Sequence, residues 1–174
     1  RSIILAGPSE KGQELLAKVN NGEELTWDDL NSATWAVMGP TSASGYIYPS
    51  LWLQERYGKT IADLDNAVQS DSYTTSLARL ASGQADVMVS FGHIRTKKAA
   101  DWQEKLGGTD EMVKQTGIIG VTEPIYNDMI AYSKNSELMQ DEDFRKALGD
   151  SFIELAETDK GKEIFSVFSQ IGYE

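Results

Sequence analysis

The stretch that sets the fold prediction is TWAVMGPTSASGYIYP, residues 34–49. Its first five residues are apolar or β-branched and end at Gly39-Pro40, a pattern typical of a short buried strand. Pro49 lacks an N–H and clashes inside a helix, so it favours the first turn of a helix that continues through Leu51 to Gly58. The stretch therefore predicts a strand, a loop rich in hydroxyls and glycine, and a helix in direct succession.

The same alternation continues on both sides of this stretch. Short apolar runs predict strands, and apolar residues recurring every three or four positions predict helices. Thr26 is expected to cap the second helix, and Asp159 the last one. Alternating strands and helices favour an α/β fold built on a largely parallel sheet flanked by helices. The predicted strands are 2–6, 34–38, 66–70, 85–90, 113–121 and 129–132, and the predicted helices are 9–20, 27–30, 51–57, 74–82, 96–106, 142–157 and 160–168.

The composition excludes several classes of protein. The 174 residues carry 16 basic and 27 acidic side chains, a net charge of −11, which argues against nucleic acid or an anionic membrane surface as the main partner. The chain has no cysteine and one histidine, His93, so disulfides, thiolate metal sites and multi-histidine metal sites are excluded. No apolar run approaches the roughly 18 residues of a membrane span. We therefore expect no cofactor, no metal and no membrane insertion of this segment.

The loop of the opening stretch carries the chemistry. Thr41, Ser42, Ser44 and Gly45 follow a predicted strand, at the strand end where open α/β sheets bind ligands. The amides just before Pro49 are expected to be free donors at the positive end of a helix dipole. Such donors bind a tetrahedral oxyanion without lysine or arginine. The alternative is that the two serines only cap a helix.

Two better-known loop types do not fit these residues. A nucleotide-binding phosphate loop requires Gly-Lys-Ser/Thr, which does not follow here. A nucleophile elbow requires glycine two residues before its serine, and Ser44 has Ser42 there. With one histidine and no convincing acid–base pair, the sequence favours a binding protein over an enzyme.

Three segments together resemble the phosphonate-, phosphate- and phosphite-binding proteins of ABC importers. They are Ser42-Ala43-Ser44-Gly45-Tyr46-x-x-Pro49, the helix that Tyr73 leads into Gly83-Gln84-Ala85-Asp86, and Pro124-Ile125-Tyr126-Asn127-Asp128. The resemblance implies a two-lobed fold of the type II periplasmic-binding-protein kind, with most of the first lobe lying before Arg1. It further implies a hinge strand at 1–8, a second lobe at 9–124 with the ligand loop at 41–46, and a return strand with C-terminal helices of the first lobe at 125–174.

The resemblance also implies roles for individual residues in ligand binding. Ser42 and Ser44 match the serines that bind the phosphonate oxygens, and the amides of Ser44 and Gly45 are expected to donate as well. Ala43 stands where the family usually has threonine, so one hydroxyl is missing, and Thr41 is expected to compensate for it.

Three further positions concern the rest of the ligand. Tyr73 occupies the place of a ligand-contacting histidine, and His93 the place of a glutamate that faces the amine of aminoalkylphosphonates, whereas Asp128 keeps a second carboxylate. The alternatives are an exposed loop histidine and a turn aspartate. Loss of one carboxylate weakens the case for a cationic ligand tail. We therefore expect a phosphonate, phosphate or phosphite-like ligand rather than an aminoalkylphosphonate.

The resemblance leads to a prediction for the whole protein. It is expected to be the extracytoplasmic solute-binding component of an ABC importer, periplasmic or a membrane-anchored lipoprotein whose targeting segment has been removed, and to deliver its oxyanion to an ABC permease. The alternative is a ligand-sensing domain or an enzyme of the same two-lobed fold.

Overall fold

The computed structural model describes residues 1–125 and 130–167. The chain divides into unit 1, Arg1–Ile125, and unit 2, Tyr126–Glu174. The described part of unit 1 contains a five-stranded sheet with helices on both faces, and the described part of unit 2 is helical.

The sheet of unit 1 has the order β3-β2-β4-β1-β5. β2 pairs in parallel with β3 and β4, whereas β1 pairs antiparallel with β4 and β5. Four of the five described strands therefore point the same way and β1 opposes them, which confirms the predicted α/β class with a largely parallel sheet. The strands are β1 (Ser2–Ala6), β2 (Trp35–Val37), β3 (Ala67–Gln69), β4 (Val87–Phe91) and β5 (Gly117–Val121).

The helices of unit 1 connect these strands. A π-helical turn, Ala43–Ile47, leads directly into α3, and a 3-10 turn, Ile61–Asp63, precedes β3. Thr26 caps α2 as predicted, because its hydroxyl accepts from the Asp29 amide. The helices are α1 (Glu10–Asn20), α2 (Trp27–Asn31), α3 (Tyr48–Tyr57), α4 (Tyr73–Ala81), α5 (Ile94–Lys97), α6 (Ala99–Lys105) and α7 (Met112–Gln115).

Both faces of the sheet are buried, which explains why β1 is apolar from Ile3 to Ala6. Ile4 packs in one core cluster with Trp35 and Leu53, whereas Leu5 packs in the other with Trp102. Successive side chains of a strand point to opposite faces, so a strand between two helical layers has no polar alternation.

Two predicted elements of unit 1 are wrong in detail. The predicted strand at 113–121 is a short helix, α7, followed by β5 from Gly117. Gln115 explains the difference, because its side-chain oxygen accepts from Trp102 Nε1 and from the Thr109 amide, both at 3.0 Å. The predicted helix 96–106 is divided at Lys98 into α5 and α6.

Unit 2 contains three described helices: α8 (Glu137–Gln140), α9 (Glu142–Glu157) and α10 (Asp159–Ser166). α9 has the predicted bounds. The cap of α10 is Thr158, not Asp159, because the Thr158 hydroxyl accepts from the Gly161 amide at 3.0 Å. The predicted strand 129–132 is not found at 130–132, which form no ladder, and residue 129 lies outside the described residues.

Candidate functional site

The carboxyl ends of β2, β3 and β4 meet at one edge of the sheet. Because these strands are parallel, the segments that follow them lie side by side. β1 runs the other way, so its first residue, Ser2, lies at the same edge, opposite Phe91. This edge gathers most of the polar residues that the sequence singles out.

The π-helical turn after β2 shapes the loop at this edge. Ser42 caps it, accepting from the Gly45 amide at 3.2 Å, and the Met38 amide donates to the Gly45 carbonyl at 3.0 Å. Gly45 is buried, and a Cβ there would lie 2.6 Å from Met38 Cβ and 2.9 Å from Ser42 Oγ. Only glycine therefore fits at this position without displacing its neighbours.

Of the amides that the sequence predicts to be free donors, only that of Ser44 lacks an acceptor among the described residues. The amides of Ile47 and Tyr48, just before Pro49, donate to the Ser42 and Ala43 carbonyls, because the chain is already helical there. The Gly45 amide is also used, by Ser42 Oγ. Within residues 1–125 and 130–167, no acceptor is found for the Ala43 and Ser44 amides. The available donors thus lie at the start of the turn, at Ala43 and Ser44, and not just before Pro49.

Three hydroxyls converge in front of this turn. Ser44 Oγ lies 2.8 Å from the Tyr73 hydroxyl, and Ser42 Oγ lies 3.4 Å from it. Tyr73 is the first residue of α4, which Ser72 caps by accepting from the Thr75 amide. The three side chains are half-buried. The structure thus brings together two segments that are separated by about thirty positions in the sequence. We call Ser42, Ser44 and Tyr73 the hydroxyl cluster.

An aromatic pair supports the hydroxyl cluster. The Tyr73 ring meets the Phe91 ring edge-on, with centroids 5.2 Å apart, and the His93 ring lies 4.8 Å from Phe91 on a tilted plane. Lys97 Nζ lies 5.7 Å from the Phe91 ring centroid. His93 and Lys97 are exposed. Phe91 therefore contacts the Tyr73 ring of the hydroxyl cluster and also the exposed side chains of His93 and Lys97.

The hydroxyl cluster is electrically neutral. No charged side chain of the described residues hydrogen-bonds to any of its three members. The strongly lowered carboxyl pKa values belong to ion pairs elsewhere: Lys18 lowers the pKa of Asp29 to about 2, and Lys105 that of Asp101 to about 2. The described residues also contain no group of histidine and acidic side chains that could hold a metal ion. The cluster can therefore donate hydrogen bonds but has no formal charge.

The remaining predicted residues lie in different places. Thr41 precedes the π-helical turn and Ala43 is the first residue of that turn; both are exposed, and Asp128 lies outside the described residues. Asp86, part of the second motif, lies before β4 at the opposite edge of the sheet. Its carboxylate accepts from the Ser9 hydroxyl at 2.6 Å and from the Thr34 amide at 2.7 Å. Asp86 therefore fixes the scaffold and does not belong to the hydroxyl cluster.

Sequence reasoning missed two residues at this edge. Phe91 directly follows the predicted strand 85–90 and carries no chemical signal in the sequence, and only its contact with the Tyr73 ring places it beside the site. Ser2 is fully buried, and its hydroxyl lies 2.5 Å from the Ser44 carbonyl. A polar first residue in an otherwise apolar strand is the signal that could have drawn attention to Ser2.

Hydrogen-bond donors gathered at the carboxyl ends of parallel strands in an α/β unit are typical of a small-molecule binding site. The chain belongs to the family described as ABC transporter, phosphonate, periplasmic substrate-binding protein, whose profile matches residues 1–174. This membership confirms the resemblance seen in the motifs, and the family is one of transporter substrate-binding proteins. A comparison with curated proteins finds no match.

Two solved structures are similar to this chain in fold. One is a binding protein component of an ABC phosphonate transporter from Pseudomonas aeruginosa, with a TM-score of 0.59 and 17% identity. The other is PhnD1 from Prochlorococcus marinus, in complex with methylphosphonate, with a TM-score of 0.55 and 16% identity. Each match covers 98% of this chain, but only 50% and 59% of the respective structures. No helix in the described ranges is both long and apolar enough to cross a membrane.

Proposed function

We propose that this chain forms the oxyanion-binding part of an ABC importer's solute-binding protein, and that its ligand is a phosphonate, phosphate or phosphite. The observation that supports this most directly is the hydroxyl cluster at the start of the π-helical turn, next to the unused amides of Ala43 and Ser44. Several neutral donors converge there, and a tetrahedral oxyanion has several oxygens that accept hydrogen bonds at the same time.

The binding geometry follows from these donors. The Tyr73 hydroxyl and Ser44 Oγ now share one hydrogen bond, so a bound oxygen can accept from each of them in its place. Ser42 Oγ accepts from the Gly45 amide and keeps its own proton to donate. The Ala43 and Ser44 amides add donors, and the exposed Thr41 hydroxyl takes the part of the missing threonine at position 43.

Neutral donors suit a protein of net charge −11. Long-range repulsion is screened within about 10 Å at ordinary salt, so local hydrogen bonds decide whether an anion binds. His93 stands where a carboxylate would face a ligand amine, and we propose that Asp128 is the carboxylate that remains. This arrangement favours methylphosphonate, phosphate or phosphite over 2-aminoethylphosphonate.

The wider roles follow from the same proposal. The protein acts on the extracytoplasmic side, as a periplasmic or membrane-anchored component, and delivers its ligand to an ABC permease. Residues 1–8 serve as a hinge strand, 9–124 as the second lobe, and 125–174 as the return into the first lobe. The division of the chain between Ile125 and Tyr126 is compatible with this arrangement.

Isothermal titration calorimetry on the intact protein tests this proposal. The titrants are methylphosphonate, phosphate, phosphite and 2-aminoethylphosphonate, and the variants are Ser44→Ala and, as a matched control, Ser76→Ala. Ser76 is a fully buried serine of α4 whose hydroxyl has no partner in the described residues. We expect Ser44→Ala alone to weaken binding. Unchanged affinity in Ser44→Ala, or much tighter binding of 2-aminoethylphosphonate than of the other three, contradicts the proposal.

A further inference from the structure

Ser2, the first residue of β1, hydrogen-bonds to β4, to the end of β5 and to the π-helical turn. It is fully buried, and its side chain belongs to the same face of β1 as Ile4, on the side of α3. Its hydroxyl lies 2.5 Å from the Ser44 carbonyl and 2.9 Å from the Ser90 carbonyl. A hydroxyl has one proton, and the shorter contact is the one to Ser44.

The Ser44 carbonyl needs this donor because of Pro49. In the π-helical turn, the Ile47 amide donates to the Ser42 carbonyl and the Tyr48 amide to the Ala43 carbonyl, each spanning five positions. The next donor in this register is residue 49. Proline has no N–H, so the Ser44 carbonyl loses its partner in the helix. Ser2 supplies the missing hydrogen bond from a different element.

We infer that Ser2 is a positioning residue for the oxyanion loop: its hydroxyl replaces the N–H that Pro49 lacks and holds the Ser44–Gly45 peptide in the binding orientation. This inference rests on the proposed function. The carbonyl of that peptide accepts from Ser2, and its N–H donates to Ser42 Oγ, so both polar ends are fixed. With the peptide fixed, the Ser44 hydroxyl points to Tyr73 and the Ser44 amide stays free.

Ser2 is itself held by the last strand of unit 1. Its amide donates to Thr122 Oγ1 at 2.9 Å, and its carbonyl accepts from the Thr122 amide at 3.0 Å. Thr122 directly follows β5 and is buried. Ser2 is thus held between β4 and the end of β5, so it has little freedom to move away from the Ser44 carbonyl.

A double-mutant cycle tests the inference on the intact protein. Ser2→Ala, Pro49→Ala and the double variant are titrated with methylphosphonate, beside Ser44→Ala. We expect Ser2→Ala to weaken binding by roughly tenfold, the value of one well-placed hydrogen bond. In the Pro49→Ala background the same change should weaken binding less than about twofold, because residue 49 then has an N–H for the Ser44 carbonyl. Ser90→Ala is the matched control: it removes a buried hydroxyl that has no partner in the described residues and keeps the Ser90 carbonyl.

The outcomes separate this inference from the proposed function. The inference is overturned, and the proposed function stands, if Ser44→Ala weakens methylphosphonate binding but Ser2→Ala does not. The same holds if Ser2→Ala lowers the affinity by the same factor in the wild-type and Pro49→Ala backgrounds. If wild type does not bind methylphosphonate, phosphate or phosphite, the proposed function fails. The role of Ser2 in holding the loop is then read from hydrogen exchange of the Gly45 amide. Faster exchange in Ser2→Ala, suppressed by Pro49→Ala, supports that role, and equal rates overturn it.

Discussion

Tyr73→Phe removes one hydroxyl from the site and leaves the supporting ring in place. The lost atom lies 2.8 Å from Ser44 Oγ and 3.4 Å from Ser42 Oγ, whereas the ring remains edge-on to Phe91 at 5.2 Å. One neutral hydrogen bond contributes about 0.5–1.5 kcal/mol, which corresponds to a roughly two- to tenfold loss of oxyanion affinity. The effect on unfolding should be small, because the side chain is half-buried and Ser44 Oγ can turn to solvent.

Calorimetric titration with methylphosphonate measures this loss, and thermal unfolding without ligand measures the stability. The account predicts weaker binding with a melting temperature within a few degrees of wild type, the shift expected for a change of at most about 1 kcal/mol. Affinity equal to that of wild type would show that the Tyr73 hydroxyl does not donate to the ligand. A large fall in the melting temperature would show instead that the hydroxyl stabilises the fold, which would equally contradict its role as a ligand donor.

Other predictions concern the loop, an ion pair and ligand choice. Gly45→Ala places a Cβ 2.6 Å from Met38 Cβ and should lower the free energy of unfolding by about 1–3 kcal/mol and abolish tight binding; a wild-type denaturant midpoint would contradict it. Lys18 lowers the pKa of Asp29 from 3.8 to about 2, so the ion pair stabilises the fold above pH 3.8 and this stability is lost as the pH falls through about 2. Asp29→Asn should therefore remove about 1–2 kcal/mol at pH 7 and flatten the acid side of the stability curve, a shape that urea unfolding between pH 2 and 7 would test. His93→Glu should raise the affinity for 2-aminoethylphosphonate relative to methylphosphonate severalfold, and an unchanged ratio in calorimetry would show that position 93 does not face the ligand.

Much of the fold could be predicted from local sequence. The continuous apolar run of β1 and the Thr26 cap of α2 are local signals, and both are found as predicted. The segment 113–121 could not be assigned this way, because α7 depends on the tertiary contact of Gln115 with Trp102. The sequence also does not predict that β1 is antiparallel to its neighbours β4 and β5, since strand direction depends on pairing between distant segments.

For the site, the sequence predicts which residues to consider but not how their hydrogen bonds are distributed. The hydroxyls of the loop stand out as a motif, whereas the internal use of the Gly45 amide follows from a π-helical turn that no local pattern indicates. The contribution of Ser2 depends on contacts across 42 and 120 positions. Contacts at such separations become visible only once the chain is folded.

A titration of the ¹⁵N-labelled intact protein with inorganic phosphate and methylphosphonate, followed by amide chemical shifts, shows which amides donate to the oxyanion. Amides that begin to donate to an oxyanion shift strongly, and the described loop leaves the amides of Ala43 and Ser44 free to do so. The account predicts that these two amides show the largest saturable changes in unit 1. Saturable binding whose largest shifts lie elsewhere in unit 1, with Ala43 and Ser44 unmoved, would contradict it.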